Sequence, residues 1–130
     1  MLTLVRGLPG SGKSTYAATL PAFLIEADMY FMVDGEYKFD ATKLGEAHAW
    51  CLALTKTILA QGIPVVVANT FTTWKELKPY VELGYDTTVV DMKTQYKGTH
   101  NVPEATVERM KARWCNDFPI EVHRYELTST

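Results

Sequence analysis

Short apolar runs and amphipathic stretches alternate along the whole chain. Leu2-Thr3-Leu4-Val5-Arg6 opens it with the length and character of a strand covered on both faces. After a glycine-rich interval, a helix-compatible stretch starts near Thr15 and runs to about Leu20, where Pro21 stops it. Ala22 to Ala27 then reads as a second strand with Asp28 at its carboxyl end. Asp34-Gly35, set among partly alternating residues from Met32 to Phe39, predicts a small hairpin or an ordered loop. Asp40 can cap the helix that follows. From Ala41 to Gln61, Leu44, Ala47, His48, Cys51, Leu54, Thr55 and Ile58 recur at helical spacing, and Gly62 supplies the stop. His48 on that stripe is expected to be a core histidine.

The second half continues the pattern. Pro64 to Ala68 is a continuous apolar run ending at Asn69, as expected of a buried central strand. Thr73-Trp74-Lys75-Glu76 has capping-box spacing and opens a helix toward Leu83, with Pro79 as a kink and Gly84 as the stop. Thr87 to Asp91 is a fourth strand, Lys93 to Val102 is polar, and Pro103 to Trp114 is a helix with proline at its first position. The stretch from Ile120 reads as an edge strand or a tail.

Strands alternating with helices predict an α/β fold: a three-layer sandwich around a parallel sheet. With 130 residues and 47% apolar content, residues 1–130 suit one domain with one buried core. A formal charge of −2 provides no basic field for gripping long duplexes, so a nucleic-acid substrate would be held locally. Met1 leads directly into the first strand, without a leader-like segment or a membrane-length apolar run, which predicts a soluble cytoplasmic protein. Cys51 and Cys115 lack metal-site or disulfide spacing and are expected to be reduced, half-buried thiols.

Residues 7 to 14 read Gly-Leu-Pro-Gly-Ser-Gly-Lys-Ser, a complete G-x-x-x-x-G-K-[ST] loop between a strand and a helix. In that setting the glycines turn backbone N–H groups inward around a phosphate. Lys13 can reach β- and γ-phosphates, and the Ser14 hydroxyl is placed for Mg²⁺. The nucleotide-binding residues expected are Gly7, Pro9, Gly10, Ser11, Gly12, Lys13, Ser14 and Thr15, with ATP and Mg²⁺ as the ligands.

Phosphoryl transfer needs more: a group to deprotonate the acceptor, and extra positive charge on the transferring phosphoryl. Asp28, on the same sheet edge as the loop, is the candidate base. Lys93 and Lys97, four apart in the polar segment, suit a lid that closes over ATP, with Lys97 in a catalytic role. His100 lies in the same segment and is read as exposed. The third strand ends Ala68-Asn69 where an acidic residue commonly orients the metal, leaving Ser14, with Asp28 or Asp91 through water. Met29-Tyr30-Phe31-Met32 would line the acceptor side and suit stacking on a flat base, or else fill the core.

Taken together, Gly-Leu-Pro-Gly-Ser-Gly-Lys-Ser-Thr, Asp28-x-Tyr30, Asn69-Thr70 and Lys97-Gly98-Thr99-His100-Asn101-Val102-Pro103 resemble the polynucleotide-kinase-like branch of P-loop kinases, with its AAA-type ATP-binding domain. The resemblance runs from Leu2 to about Trp114. It implies sheet order 2-3-1-4, possibly with a fifth strand, and ATP-dependent phosphorylation of a nucleic-acid hydroxyl, with Asp28 as general base. Three positions depart from the family pattern: lysines replace lid arginines, Phe31 stands where an arginine binds the acceptor's phosphate, and Ala68 replaces an acid. The expected acceptor is therefore a DNA hydroxyl, either a 5′ end or the hydroxymethyl group of 5-hydroxymethyluracil as in related phage kinases. A nucleoside or other small molecule is one alternative, and a nucleotide-binding switch with vestigial turnover is another.

Overall fold

The computed structural model describes residues 1–93 and 103–127. Its main sheet contains β1 (Leu2–Arg6), β2 (Phe23–Ile25), β5 (Val65–Asn69), β6 (Thr87–Met92) and β7 (His123–Leu127), in the order β2-β5-β1-β6-β7 with every pairing parallel. This is the expected 2-3-1-4 order with a fifth strand added, so the stretch from Ile120 contains an edge strand rather than a tail. A hairpin, β3 (Met32–Val33) and β4 (Glu36–Tyr37), projects separately. Its two-residue turn is Asp34-Gly35, with φ of 51° and 80°, the left-handed geometry that matches the twist of paired strands.

Both faces of the sheet are covered, which explains the unbroken apolar runs. Leu2, Leu4, Val65, Val67 and Val89 pack on one face with Cys51, Ile58 and Leu59 of α2 (Leu44–Ala60) and Leu77 of α3 (Trp74–Val81). Val5, Val66, Ala68 and Val90 pack on the other with Ala17 of α1 (Lys13–Ala17). Each fully buried valine contributes about 1.5–3 kcal/mol relative to exposure. A last helix, α4 (Glu104–Arg113), precedes β7.

Several boundaries differ from expectation. α1 ends at Ala17 and continues to Leu20 only as tight turns, with Thr19 and Leu20 amides bonded to the carbonyls of Tyr16 and Ala17. β2 stops at Ile25 because a 3₁₀ helix, Ala27–Phe31, begins two residues on; Asp28 therefore sits in a helical turn instead of ending a strand. The buried stripe of α2 is Ala47, Cys51, Thr55, Ile58 and Leu59, which leaves His48 one step off it and exposed, contrary to the core reading. Cys51 is fully buried, whereas Cys115 is half-buried as expected. Among the described residues, no helix is long and apolar enough to cross a membrane.

Candidate active site

The site is built at the carboxyl edge of the sheet, where β1 passes into the glycine-rich loop. Gly10 and Gly12 have φ of 81° and 83°, a conformation that side chains resist. A Cβ on Gly7 would collide with Ser11 Oγ and lie 3.0 Å from Met92 Cβ, so the loop closes only with glycine there. The Ser11 N–H bonds the Leu8 carbonyl at 3.0 Å. Among the described residues, the N–H groups of Gly10, Gly12, Lys13 and Ser14 find no backbone partner. Ser11 Oγ is buried and likewise without a hydrogen bond. A cradle of donors with no internal acceptor fits a polyphosphate chain.

Lys13 and Ser14 open α1. Burial lowers the Lys13 ammonium below its ordinary value, and the nearby carboxylates of Glu26 and Asp28 pull it back up. Among the described residues it makes no ion pair within 4.0 Å, so its charge stays available to an anion. Ser14 is exposed, and its hydroxyl faces the carboxylate of Glu26. Burial raises the Glu26 carboxyl above its ordinary value; Ser14 and Lys13 oppose that rise while Asp28 adds to it.

The structure thus brings Lys13, Ser14, Glu26 and Asp28 together. Glu26 was not foreseen, because a strand drawn through Ala27 puts Asp28, and not Glu26, at the sheet edge. Asn69, at the end of β5, explains the placement: its Oδ1 accepts the Ala27 N–H at 2.9 Å and pins the turn carrying both acids. Asn69 is consequently buried, with Nδ2 directed at Cys51 Sγ, 3.7 Å away.

Other expectations are redirected. Asp91 is not available for a metal: Oδ1 pairs with Arg6 Nη1 and Oδ2 with Arg124 Nη2, each at 3.0 Å. Arg6, another residue missed in the sequence, is fully buried and uses all five guanidinium donors. Nε bonds the Phe71 carbonyl, Nη1 bonds Asp91 and Asn116 Oδ1, and Nη2 bonds the carbonyls of Thr72 and Cys115. Trp114 covers it, with the ring centroid 3.9 Å from Cζ. This staple ties the residue before Gly7 to the ends of β5 and β6 and to the segment after α4. It also holds Phe71, whose φ of 46° is unfavourable for a bulky residue.

Phe31 is buried in the core and Tyr30 is half-buried, so the Met29 to Met32 stretch does not form the acceptor wall as a unit. Lys93 follows Met92, but its ammonium is turned toward Glu126 Oε1 at 3.9 Å. Pro9 and Thr15 flank the cradle, half-buried and exposed respectively. Lys97 and His100 lie outside the described residues.

A five-stranded parallel sheet with this loop after β1 defines the fold of P-loop kinases. The chain belongs to the AAA-domain family, whose pattern it matches over residues 2–96. It is 43% identical over 89 residues, 64% of its own length, to NEDD4-binding protein 2 of Homo sapiens, and spans 5% of that protein's length. Among solved structures it resembles a sugar kinase from a Janibacter species, with TM-score 0.73 and 13% identity, covering 98% of this chain and 84% of the other. A second similar structure is a putative kinase from Chloroflexus aurantiacus, with TM-score 0.72 and 17% identity, covering 99% and 88%.

Proposed function

We propose that this chain is an ATP-dependent kinase that phosphorylates a hydroxyl on DNA, at a 5′ end or on a hydroxymethylated base. The observation that carries the reading is the convergence of Lys13 and Ser14 with Asp28, on a turn fixed by Asn69. The loop amides and Lys13 hold the triphosphate. Asp28 accepts the acceptor's proton as its oxygen bonds the γ-phosphorus, the bond to the bridging oxygen breaks and ADP leaves. Magnesium, when bound, neutralises charge on the β- and γ-oxygens. Ser14 would hold it, with Glu26 supplying beside Ser14 the carboxylate that Ala68 and Asn69 do not.

The phosphate-binding arginine expected on the acceptor side is replaced by Phe31, which faces the core, and the charges near Asp28 include Glu26. Both features favour an acceptor that presents a ring and a hydroxyl in place of a terminal phosphate.

The test is transfer from γ-labelled ATP to DNA carrying each hydroxyl, compared with Asp28→Asn. The expected result is transfer to one of them and a loss of about 100-fold or more on substitution, the scale of losing a general base. Transfer only to free nucleosides or sugars would make the protein a small-molecule kinase. An Asp28→Asn rate equal to wild type would reduce it to a nucleotide-binding switch.

A further inference from the structure

The side chains beyond Asp28 form a surface that phosphate binding does not use. Met32 on β3 and its cross-strand partner Tyr37 on β4, with Phe39 two residues further on, are 51%, 54% and 52% exposed, apolar side chains on one face of a small hairpin. Apolar side chains gathered on one face in this way offer a surface for contact. Its two rings are ordered: Tyr37 and Phe39 lie nearly parallel, 18° apart with centroids separated by 6.4 Å. Both stand on buried Phe31, which meets them edge-on at 6.3 and 5.1 Å. Rings locked this way lose little entropy when a ligand stacks on them.

The patch is joined to the candidate base. Tyr37 Oη donates to Asp28 Oδ1 at 3.3 Å, so a phenol attached to a shelf ring already makes the contact that an acceptor hydroxyl must make. We propose that the Tyr37–Phe39 shelf is the stacking platform for one nucleobase of a single-stranded polynucleotide, whose hydroxyl displaces or shares the Tyr37 bond to Asp28.

Charge and shape select this occupant. Around the shelf, Asp34, Glu36 and Asp40 outnumber Lys38 and Lys43, and Lys38 already lies 4.0 Å from Glu36. This excess of negative charge disfavours a phosphate on the shelf itself, so the part of a strand that can rest there is the uncharged face of a base, with its phosphates kept away. Sites for small molecules enclose most of the ligand surface, whereas these side chains remain half exposed, as suits one base of a chain that continues into solvent. The inference rests on the nucleic-acid reading of the acceptor side, not on turnover.

Fluorescence anisotropy tests it, using a labelled single-stranded DNA of about 12 nucleotides, a length suited to such sites, with a non-hydrolysable ATP analogue and magnesium present. Phe39→Leu and Tyr37→Leu keep apolar bulk and remove a π face. Each is expected to weaken binding about tenfold, within the range for losing one stacked base, while Tyr37→Phe retains affinity. An abasic strand of equal charge should bind wild type as weakly as the intact strand binds Phe39→Leu, which makes the test independent of variant folding. No binding by wild type, equal affinity for the abasic strand, or displacement by free nucleoside at matched concentration would overturn the platform. Binding of this kind without phosphoryl transfer would defeat the kinase reading alone; transfer indifferent to Phe39 and to the base would defeat the platform alone.

Discussion

Asn69 Oδ1 accepts the backbone N–H of Ala27 at 2.9 Å, tying the end of the central strand to the turn that carries Glu26 and Asp28. An acid at the end of β5 would repel that pair; a neutral amide fixes them. Asn69→Ala leaves a buried donor unpaired, at a cost of about 1–3 kcal/mol. Urea denaturation should show that loss. Stability equal to wild type would mean the bond does not hold the turn.

Arg6 is a second point of leverage. Arg6→Leu removes five hydrogen bonds and leaves Asp91 buried with Arg124 as its remaining ion-pair partner. A fall of about 3–5 kcal/mol is expected, as for other broken buried pairs. Equilibrium denaturation monitored by circular dichroism reads it, and a loss below about 1 kcal/mol, the level of an exposed pair, would show the staple to be dispensable.

These two residues show what was legible in the sequence and what was not. The alternation of strands and helices around a parallel sheet followed from apolar runs separated by helical stretches, and a hairpin or ordered loop followed from Asp34-Gly35, because both signals are local; the strand order is non-local and came only with the family resemblance. Arg6 was hidden: at the end of an apolar run it reads as a solvent-facing boundary, and its partners lie 65 to 110 residues away. Glu26 was missed because a strand end is uncertain by a residue or two, and that margin decides which carboxylate reaches the edge. Phe31 and the Tyr37–Phe39 pair could not be sorted in advance, since two-residue strands carry no periodicity to say which rings face the core.

Glu26 makes a pH-dependent prediction. Burial raises its carboxyl above the ordinary 4.5 in the folded protein. Its contribution to stability is therefore fully present below the unfolded value and is lost as the pH rises through the raised folded one. In metal- and nucleotide-free protein, Glu26→Gln should be more stable than wild type at neutral pH, with the gap closing toward pH 4.5. Thermal melts across that range check it; parallel curves for the two proteins would refute the buried-carboxylate description.

The most direct measurement is isothermal titration calorimetry of a non-hydrolysable ATP analogue with magnesium, on wild type and on Lys13→Ala. One site per chain is predicted, with affinity falling about tenfold or more in the variant, as expected for losing a hydrogen-bonded charge. Absence of heat with wild type, or unchanged affinity without the Lys13 ammonium, would contradict the account.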